Sequence, residues 1–506
     1  MPATRTTMSQ RTISQQTLSQ RTLSRRSLLR GAAALSVATT LPGLSGCTAP
    51  AAPGTNGALE EATAEPLGLA FPTGFGWGAA TSAYQIEGAA DEDGRGPSIW
   101  DTFSHTPGRV AGGDTGDVAA DHYHRYREDL DLMKALGLTS YRFSISWSRV
   151  IPEGTGAVNQ RGLDFYRRLV DGLRERDIDP MVTLFHWDLP QALEDRGGWL
   201  NRDCAGWFAD YAEVVYQALG DAVPTWLTLN EPKTVVNVGY IYGAHAPGMR
   251  DARQAYVAAH HLMLAHGLAV QAFRATGLAG RIAPALNLAP AYPDPPDNEM
   301  ATRAAELADG YENRFYLDAV LKGGYPQDVL DDLGPAAPIH GVIRDGDAEI
   351  IATPVDLLAV QYYNPVFVAP GGNYVTKLAT SDASWQQIYP DGLYDTLVRL
   401  RRDYGDLPLT ITENGRPCSD RIVADGRVHD PERIAFLRDH LAAAHRAIAE
   451  GVRLESYHVW SLLDNFEWAE GYRQRWGIVY VDYPTQRRIE KSSAQWYRDV
   501  IARNGI

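Results

Sequence analysis

Two glutamates close short strand-like runs, and their positions are those of groups that do chemistry. Glu413 follows the apolar run at residues 407–412, and Glu231 follows a similar run at 224–230. A carboxylate at the mouth of a buried strand is costly unless it is hydrogen-bonded or paired with a charge. The pair therefore suggests an acid/base and a nucleophile that converge from opposite sides of one sheet or barrel.

The elements that must position these residues alternate between short apolar strands and amphipathic helices from about Phe71 onward, which is typical of a parallel α/β fold. Eight strands are predicted, the number that closes a barrel, at residues 74–80, 140–146, 180–187, 225–230, 281–288, 357–363, 407–412 and 454–461. Helices are predicted at residues 121–136, 163–176, 205–219, 255–276, 302–321, 393–404 and 431–451. No Pro/Gly/Ser-rich linker divides residues 71–506, so the prediction is a single α/β domain, a (β/α)8 TIM barrel with long βα loops.

Polar and aromatic residues cluster where the predicted strands end, the edge at which such barrels build their sites. Amides, an imidazole and carboxylates between indoles suit a neutral polyol that also has an apolar ring face. The candidates are Gln85, Glu87, Arg142, His186, Trp187, Asn230, Glu231, Asn287, Tyr363, Glu413, Trp460, Glu467 and Trp468.

Charge and motif content argue against other ligands. A formal net charge of −15 argues against nucleic acid, because phosphate binding needs a basic surface. The sequence has neither a Walker-type phosphate loop nor the dinucleotide fingerprint. His122 and His124 lie two apart in a predicted helix and cannot share a face for a metal, while His260, His261 and His266 are interpreted as helix surface or packing. No metal site is predicted.

The first 70 residues differ in composition from the rest. Residues 1–23 are polar repeats, and the Ser-Arg-Arg-Ser-Leu-Leu-Arg of 24–30 is a twin-arginine export pattern. The apolar stretch at 31–44 is too short and weak for a membrane span. It leads to Leu-Ser-Gly-Cys47, which resembles the lipobox of bacterial lipoproteins. The prediction is an export signal at 1–47, a flexible linker at 48–70 and a catalytic domain at 71–506.

These segments predict export by the twin-arginine route and a cell-surface or periplasmic lipoprotein, the alternatives being a secreted protein or a chance cysteine in an ordinary signal. The other two cysteines, Cys204 and Cys418, are expected to be unpaired, and a single bridge between them stays open.

Six segments, in order, carry a resemblance to a known family. They read FGWGAATSAYQIEGA at 75–89, YRFSISWSR at 141–149, FHWDLP at 185–190, TLNEP at 228–232, ITENG at 411–415 and WSLLDNFEW at 460–468. Together they resemble the motifs of glycoside hydrolase family 1, the β-glucosidase family, over about residues 71–500.

The resemblance implies roles for individual residues. Glu231 matches the acid/base, Glu413 the nucleophile, and Arg142 and Tyr363 the groups that contact the nucleophile. Trp385 matches the aglycone-site tryptophan. The residues matching or flanking those that hold the sugar are Gln85, His186, Trp187, Asn230, Trp460, Glu467 and Trp468.

Two positions depart from the family pattern: Gln361 stands where Asn is usual, and Trp476 where Phe is common. The first affects the hydrogen-bond chain beside Tyr363, and the second the pocket near the sugar's 6-position.

The expected function is therefore that of a retaining β-glycosidase, foremost a β-glucosidase acting on β-linked oligosaccharides or glycosides without metal or organic cofactor. Galactosides and fucosides stay open as substrates. A transglycosidase would share every residue named above. A non-catalytic sugar-binding surface protein is disfavoured because both glutamates are present, and a 6-phosphoglycosidase because Glu467 would repel a phosphate.

Overall fold

The computed structural model describes residues 66–506, and within that range eight parallel strands close a barrel. The chain enters at β1, which hydrogen-bonds β2 on one side and β8 on the other. The strands are β1 Gly76–Ala80, β2 Ser140–Ser144, β3 Asp179–Phe185, β4 Thr225–Asn230, β5 Arg281–Asn287, β6 Leu358–Gln361, β7 Leu409–Asn414 and β8 Leu454–Trp460. The predicted (β/α)8 barrel is confirmed.

One strand boundary matters for the chemistry. The sequence predicts that β7 ends at residue 412 and leaves Glu413 on a loop, but the strand runs on to Asn414. The register of β7 against β6 shifts between Ile411 and Glu413. Glu413 consequently pairs with Gln361, the last residue of β6. Glu413 is therefore held by the sheet itself, and the loop placement is wrong.

Helices surround the barrel. The main ones are α1 His122–Ala135, α2 Gln160–Arg174, α3 Asp203–Leu219, α4 Ala252–Thr276, α5 Glu299–Asp309, α6 Phe315–Lys322, α7 Pro390–Tyr404, α8 Pro431–Ala449 and α9 Ser492–Arg503. Shorter α-helices are Ala83–Ile86, Ile99–His105, Trp147–Val150, Gln191–Glu194, Pro232–Thr234, Gln327–Leu333 and Asp347–Ile351. Single 3₁₀ turns occur at Ala111–Gly113, Gly198–Leu200, Gly220–Ala222, Pro338–Gly341 and Trp468–Glu470.

Small sheets lie in the loops outside the barrel. Val479–Asp482 and Arg487–Glu490 form an antiparallel hairpin before α9. The strands Ala291–Pro293, Val366–Val368 and Tyr374–Val375 form a three-stranded sheet above β5 and β6. These strands lie in the loops after β5, β6 and β8, which are among the long βα loops that the sequence predicts.

The helix predicted at 302–321 is in fact two helices, α5 and α6, joined by a π-helical turn, Gly310–Arg314. The turn places Asn313 so that its side chain bonds both backbone groups of Ala289, with Oδ1 accepting at 2.9 Å and Nδ2 donating at 2.8 Å. Local periodicity does not reveal such a tertiary contact.

No helix is predicted from the sequence at α9. This helix packs its apolar face on the barrel through Tyr497, whose hydroxyl donates to Gly78 O at 3.0 Å.

The three histidines of α4 are all buried, so the packing interpretation is correct and the surface alternative is wrong. His266 Nδ1 lies 2.7 Å from the Thr228 hydroxyl of β4, and His260 Nε2 lies 2.9 Å from Asp347. Within residues 66–506 the cysteines, Cys204 and Cys418, are buried and unpaired, as predicted.

Strand alternation divides the barrel residues between its two faces. In β2, Tyr141 and Phe143 join the large apolar core, whereas Arg142 between them bonds Thr183 on the neighbouring strand. A period of two along a buried strand thus places a cation inside the barrel.

The seam between β1 and β8 predicts a steric test of barrel closure. A Cβ on Gly78 would lie 2.2 Å from His458 Cδ2, and His458 is held at 3.0 Å by both Ile411 O and Ser140 Oγ. We expect Gly78→Ala to lower the free energy of unfolding by about 1–3 kcal/mol, measured by urea denaturation.

Gly206 is the matched control, since it lies within α3 and a Cβ there would meet nothing within 4 Å. Gly206→Ala should raise stability by about 0.5–1 kcal/mol through helix propensity. Equal effects at the two positions would contradict the steric account of the seam.

Candidate active site

Glu413 is buried at the carboxyl end of β7 and receives three hydrogen bonds. Arg142 Nη1 and Gln361 Nε2 donate to Oε1, the latter at 2.8 Å, and the Tyr363 hydroxyl donates to Oε2 at 2.5 Å. Since a buried carboxylate is costly without such donors, this cage favours its ionised form.

Asn230, the last residue of β4, shares two of those donors. Its Oδ1 accepts from Arg142 Nη2 and, at 2.7 Å, from Gln361 Nε2. Its Nδ2 lies 3.0 Å from His186 Nε2. Burial and the charge of Arg142 hold the pKa of His186 well below its usual range, so the ring is neutral and accepts this bond.

Glu231 follows β4 directly and has a left-handed backbone, with φ 44° and ψ 63°. This conformation is uncommon for a residue with a side chain and costs on the order of 1–3 kcal/mol. Its Oε2 accepts from the Thr234 hydroxyl at 2.6 Å and from Asn287 Nδ2 at 3.4 Å. The carboxyl thus has neutral donors where Glu413 has a guanidinium.

The two carboxyl groups differ electrostatically for that reason. Burial, then the negative charge of Glu413, raises the pKa of Glu231 to about 7. Burial also raises the pKa of Glu413 above its ordinary value, but Arg142 and Tyr363 act in the opposite direction. Glu231 is therefore the member of the pair that carries a proton near neutral pH.

A second polar cluster lies between the ends of β1 and β8. Gln85 Nε2 donates to Asn465 Oδ1 at 2.9 Å and to Glu467 Oε2 at 3.4 Å, and Ser82 Oγ donates to Gln85 Oε1 at 2.6 Å. Burial, then the charges of Glu413, Glu470 and Glu231, raises the pKa of Glu467 to about 8. These amides and carboxyls present directional partners for hydroxyl groups.

Aromatic rings link the two polar clusters. His186 stacks on Trp460 and Trp468, with ring centroids 5.9 Å from each. Trp187 packs on Trp468 at 4.7 Å and donates its Nε1 to Asn230 O at 2.9 Å. Trp187 and Trp468 both have positive φ, 79° and 50°, as does Glu231. Backbone strain of this kind is concentrated at functional sites.

Trp385 forms the outer edge of the site and is 36% exposed. It stacks on buried Trp476 at 6.2 Å between centroids, and both rings pack edge-on against Tyr363. Trp476 therefore supports Trp385 from below, next to the group that contacts Glu413.

The structure brings the residues named for catalysis and sugar binding into one connected group. Glu87 is the exception among the strand-end candidates, because it pairs with Arg149 at 2.9 Å and accepts from Tyr166 at 2.7 Å. The sequence motifs assign no role to Thr234, and they mark Gln361 only as a departure from the family pattern. The one sequence signal for Thr234 is its place three residues after Glu231 in a helical turn, where a side chain can reach back to the residue before the turn.

Metal binding finds no geometric support in the described part of the chain. Between residues 66 and 506, no three His, Cys, Asp or Glu side chains are grouped so that they could hold a metal ion.

Comparison with known proteins identifies the family. The family model described as glycosyl hydrolase family 1 matches residues 68–506. This chain belongs to glycosyl hydrolase family 1. The match starts three residues before the domain start predicted at 71, near Leu69, whose N and O pair with Ile506 at 3.0 Å.

Relatives within glycosyl hydrolase family 1 cover most of the chain. The protein is 49% identical to β-glucosidase A of Acetivibrio thermocellus, over 87% of this chain and 99% of that protein. It is 46% identical to a bifunctional β-D-glucosidase/β-D-fucosidase of Bifidobacterium breve, over 86% of this chain and 98% of that protein. The solved β-glucosidase of Thermotoga maritima in complex with glucoimidazole matches with a TM-score of 0.83 at 46% identity, covering 86% of this chain and 100% of that one.

The electrostatics of this family 1 site predict how its two carboxyls influence each other. Because the charge of Glu413 is the second cause of the raised pKa of Glu231, Glu413→Gln should lower that pKa below about 7. Burial remains, so the pKa should stay above its ordinary value. Infrared difference titration, with Glu231→Gln assigning the signal, measures the change.

Glu470→Gln is the matched control for this titration. Glu470 contributes to the raised pKa of Glu467 and is not among the main influences on Glu231. It should leave the Glu231 titration in place, and a Glu231 pKa that does not respond to Glu413→Gln would contradict the coupling.

Proposed function

We propose that this protein is a retaining β-glycosidase, and foremost a β-glucosidase that releases terminal β-D-glucosyl residues from oligosaccharides or glycosides. The observation that carries the proposal is the pair of buried carboxyls, Glu231 and Glu413, at the C-terminal ends of strands of one barrel. Glu413 is held by a guanidinium and two neutral donors, whereas Glu231 has neutral donors and a pKa of about 7. A fixed anion and a proton carrier are the two groups that glycoside hydrolysis by a carboxyl pair needs, and in double displacement the anion is the nucleophile.

In the first step, a Glu413 oxygen attacks the anomeric carbon, and the bond from that carbon to the leaving oxygen breaks. Glu231 gives its proton to that oxygen, so the aglycone leaves as a neutral alcohol. The negative charge of Glu413 is consumed in the new ester bond. Charge then moves to Glu231, whose pKa falls because its anionic neighbour has gone.

In the second step, a water molecule attacks the anomeric carbon from the side that the aglycone left. Ionised Glu231 takes the water proton, the ester bond breaks, and Glu413 regains its charge. Two inversions give retention. Retaining glycosidases hold their two carboxyls about 5–5.5 Å apart, whereas inverting ones separate them by about 6.5–9.5 Å to make room for a water molecule.

The side chains proposed to bind the sugar favour a neutral hexose as the substrate. Gln85, Glu467, His186 and Asn230 supply donors and acceptors, and Trp460 and Trp468 supply apolar faces. The names of the relatives point to glucosides, and the Bifidobacterium breve protein is named for fucosides as well.

Chemical rescue tests the assignment of the nucleophile. Glu413→Gly should lower hydrolysis of p-nitrophenyl β-glucoside by at least about 10³-fold, since the attacking group is removed. Azide or formate should enter the vacated space and restore aryl release in part. The azide product should have the α configuration, which NMR of the isolated glycosyl azide measures.

The matched variant is Glu231→Gly, which keeps the nucleophile. With a 2,4-dinitrophenyl leaving group that needs no proton, the glycosyl–enzyme should form, and azide should give the β product. The opposite pattern of products would exchange the two roles, and near-normal turnover of Glu413→Gly would contradict the proposal as a whole.

We also propose that the protein is exported by the twin-arginine route and held at the membrane by lipid on Cys47. This proposal rests on the sequence alone, because residues 1–47 and most of the linker lie outside the described residues. Export of an already folded chain suits a large barrel whose non-local strand pairing is slow and exposed to aggregation. The diacylglycerol of a bacterial lipoprotein supplies the two chains that stable anchoring needs.

Fractionation of cells that make the full-length protein tests the anchor. Most of the β-glucosidase activity should sediment with washed membranes and be released by detergent but not by salt. Cys47→Ala should move it out of that fraction without changing kcat on p-nitrophenyl β-glucoside. Salt-soluble or cytosolic wild-type activity would rule out the anchor.

A further inference from the structure

Gln361 is a buried amide that contacts both Glu413 and Asn230. It ends β6, is fully buried, and its Nε2 donates to two acceptors, Glu413 Oε1 at 2.8 Å and Asn230 Oδ1 at 2.7 Å. Its Oε1 is buried without a hydrogen-bond partner among the described residues. The reverse orientation of the amide would set that oxygen against two acceptor oxygens, so the charges of the site fix which end faces Glu413.

The donors around Glu413 are divided unequally between its two oxygens. Oε1 receives Arg142 and Gln361, and a carboxylate oxygen has two lone-pair sites in its plane. Oε2 receives the Tyr363 hydroxyl alone. One lone pair therefore remains free on Oε2, whereas both on Oε1 are engaged.

We propose that Gln361 is a positioning residue of the catalytic centre: by occupying Oε1 together with Arg142, it leaves Oε2 as the oxygen that attacks the anomeric carbon. The same amide fixes Asn230, because Oδ1 of Asn230 takes both donors and its NH₂ group is left to face His186 and the sugar. One side chain thereby sets the nucleophile and a sugar contact in register. The proposal rests on the proposed function of Glu413.

Loss of the Gln361 donor should change the pKa of Glu413 in a defined direction. Ionised Glu413 is contacted by the Arg142 guanidinium and the Tyr363 hydroxyl, and its charge acts on the acids Glu231 and Glu467. Removing a donor from the carboxylate leaves its charged form less stabilised, so its pKa rises. The acid limb of the kcat/KM profile should then move to higher pH.

Gln361→Met removes the donor and keeps the length of the side chain. We expect kcat/KM for p-nitrophenyl β-glucoside to fall about 10- to 100-fold, with the acid limb shifted upward. Gln361→Glu puts a second carboxyl against Glu413 and should shift the limb further. Gln361→Asn keeps an amide that is shorter by one methylene, and its values should lie between those of the wild type and Gln361→Met.

Gln386→Met is the matched control. Gln386 is equally buried, and its Nε2 donates to two backbone carbonyls, Tyr363 O at 3.3 Å and Gly415 O at 2.8 Å, and to neither catalytic carboxyl. It should lower thermal stability and leave the acid limb in place. Equal acid-limb shifts in Gln361→Met and Gln386→Met, or none in Gln361→Met, would reduce Gln361 to a structural residue and overturn the proposal.

A trapped intermediate tests which oxygen attacks. Wild-type crystals treated with 2,4-dinitrophenyl 2-deoxy-2-fluoro-β-D-glucoside should show an ester through the Glu413 oxygen on the Tyr363 side. An ester through the oxygen that faces Arg142 and Gln361 would overturn the proposal while supporting the proposed function. Absence of any adduct on Glu413, with activity intact, would instead contradict the function on which it rests.

Discussion

Burial of the Arg142–Glu413 ion pair is the constraint on which the rest of the site depends. Each charge alone would be expensive in a closed barrel, and the pair is tolerable only because further donors and acceptors complete it. Arg142 also bonds Thr183 and Asn230, and Glu413 also bonds Gln361 and Tyr363. Five strands, β2, β3, β4, β6 and β7, and the loop that carries Tyr363 must therefore be in place before the pair is satisfied. Barrel closure and the geometry of the site are parts of one requirement.

The same principle holds the long loop after β8, which carries Glu467 and Trp468. Asp464 in that loop accepts from Lys491 Nζ at 2.7 Å and from Arg475 Nη1 at 2.6 Å, and it receives Gly477 N at 3.1 Å. Lys491 is fully buried between this carboxylate and a second one. Loops placed by ordinary surface contacts would be mobile, whereas this one is tied to the hairpin and the start of α9 by buried charge.

Two chemically identical side chains become different groups because of what surrounds them. Glu413 lies inside β7, where the neighbouring strand β6 supplies an amide and the more distant strand β2 supplies a guanidinium. Glu231 lies one residue beyond its strand, in a strained conformation, with a hydroxyl and a distant amide as partners. The distinction between anion and acid thus reflects where each carboxyl lies relative to its strand end, Glu413 one residue before it and Glu231 one residue after it.

The sequence by itself determined the alternation of strands and helices, the eight-strand count and the strand ends at which Gln85, His186, Asn230 and Glu231 lie, because these follow from local periodicity and turn residues. Motifs that resemble a known family added the roles within the pair, Glu231 as acid/base and Glu413 as nucleophile. Only the tertiary structure decided which donors meet which oxygens, since Gln361, Asn230 and Glu413 come from three strands. It also decided the extension of β7, the π-turn fixed by Asn313 and the packing of α9, because each is imposed by contacts between residues far apart in the chain.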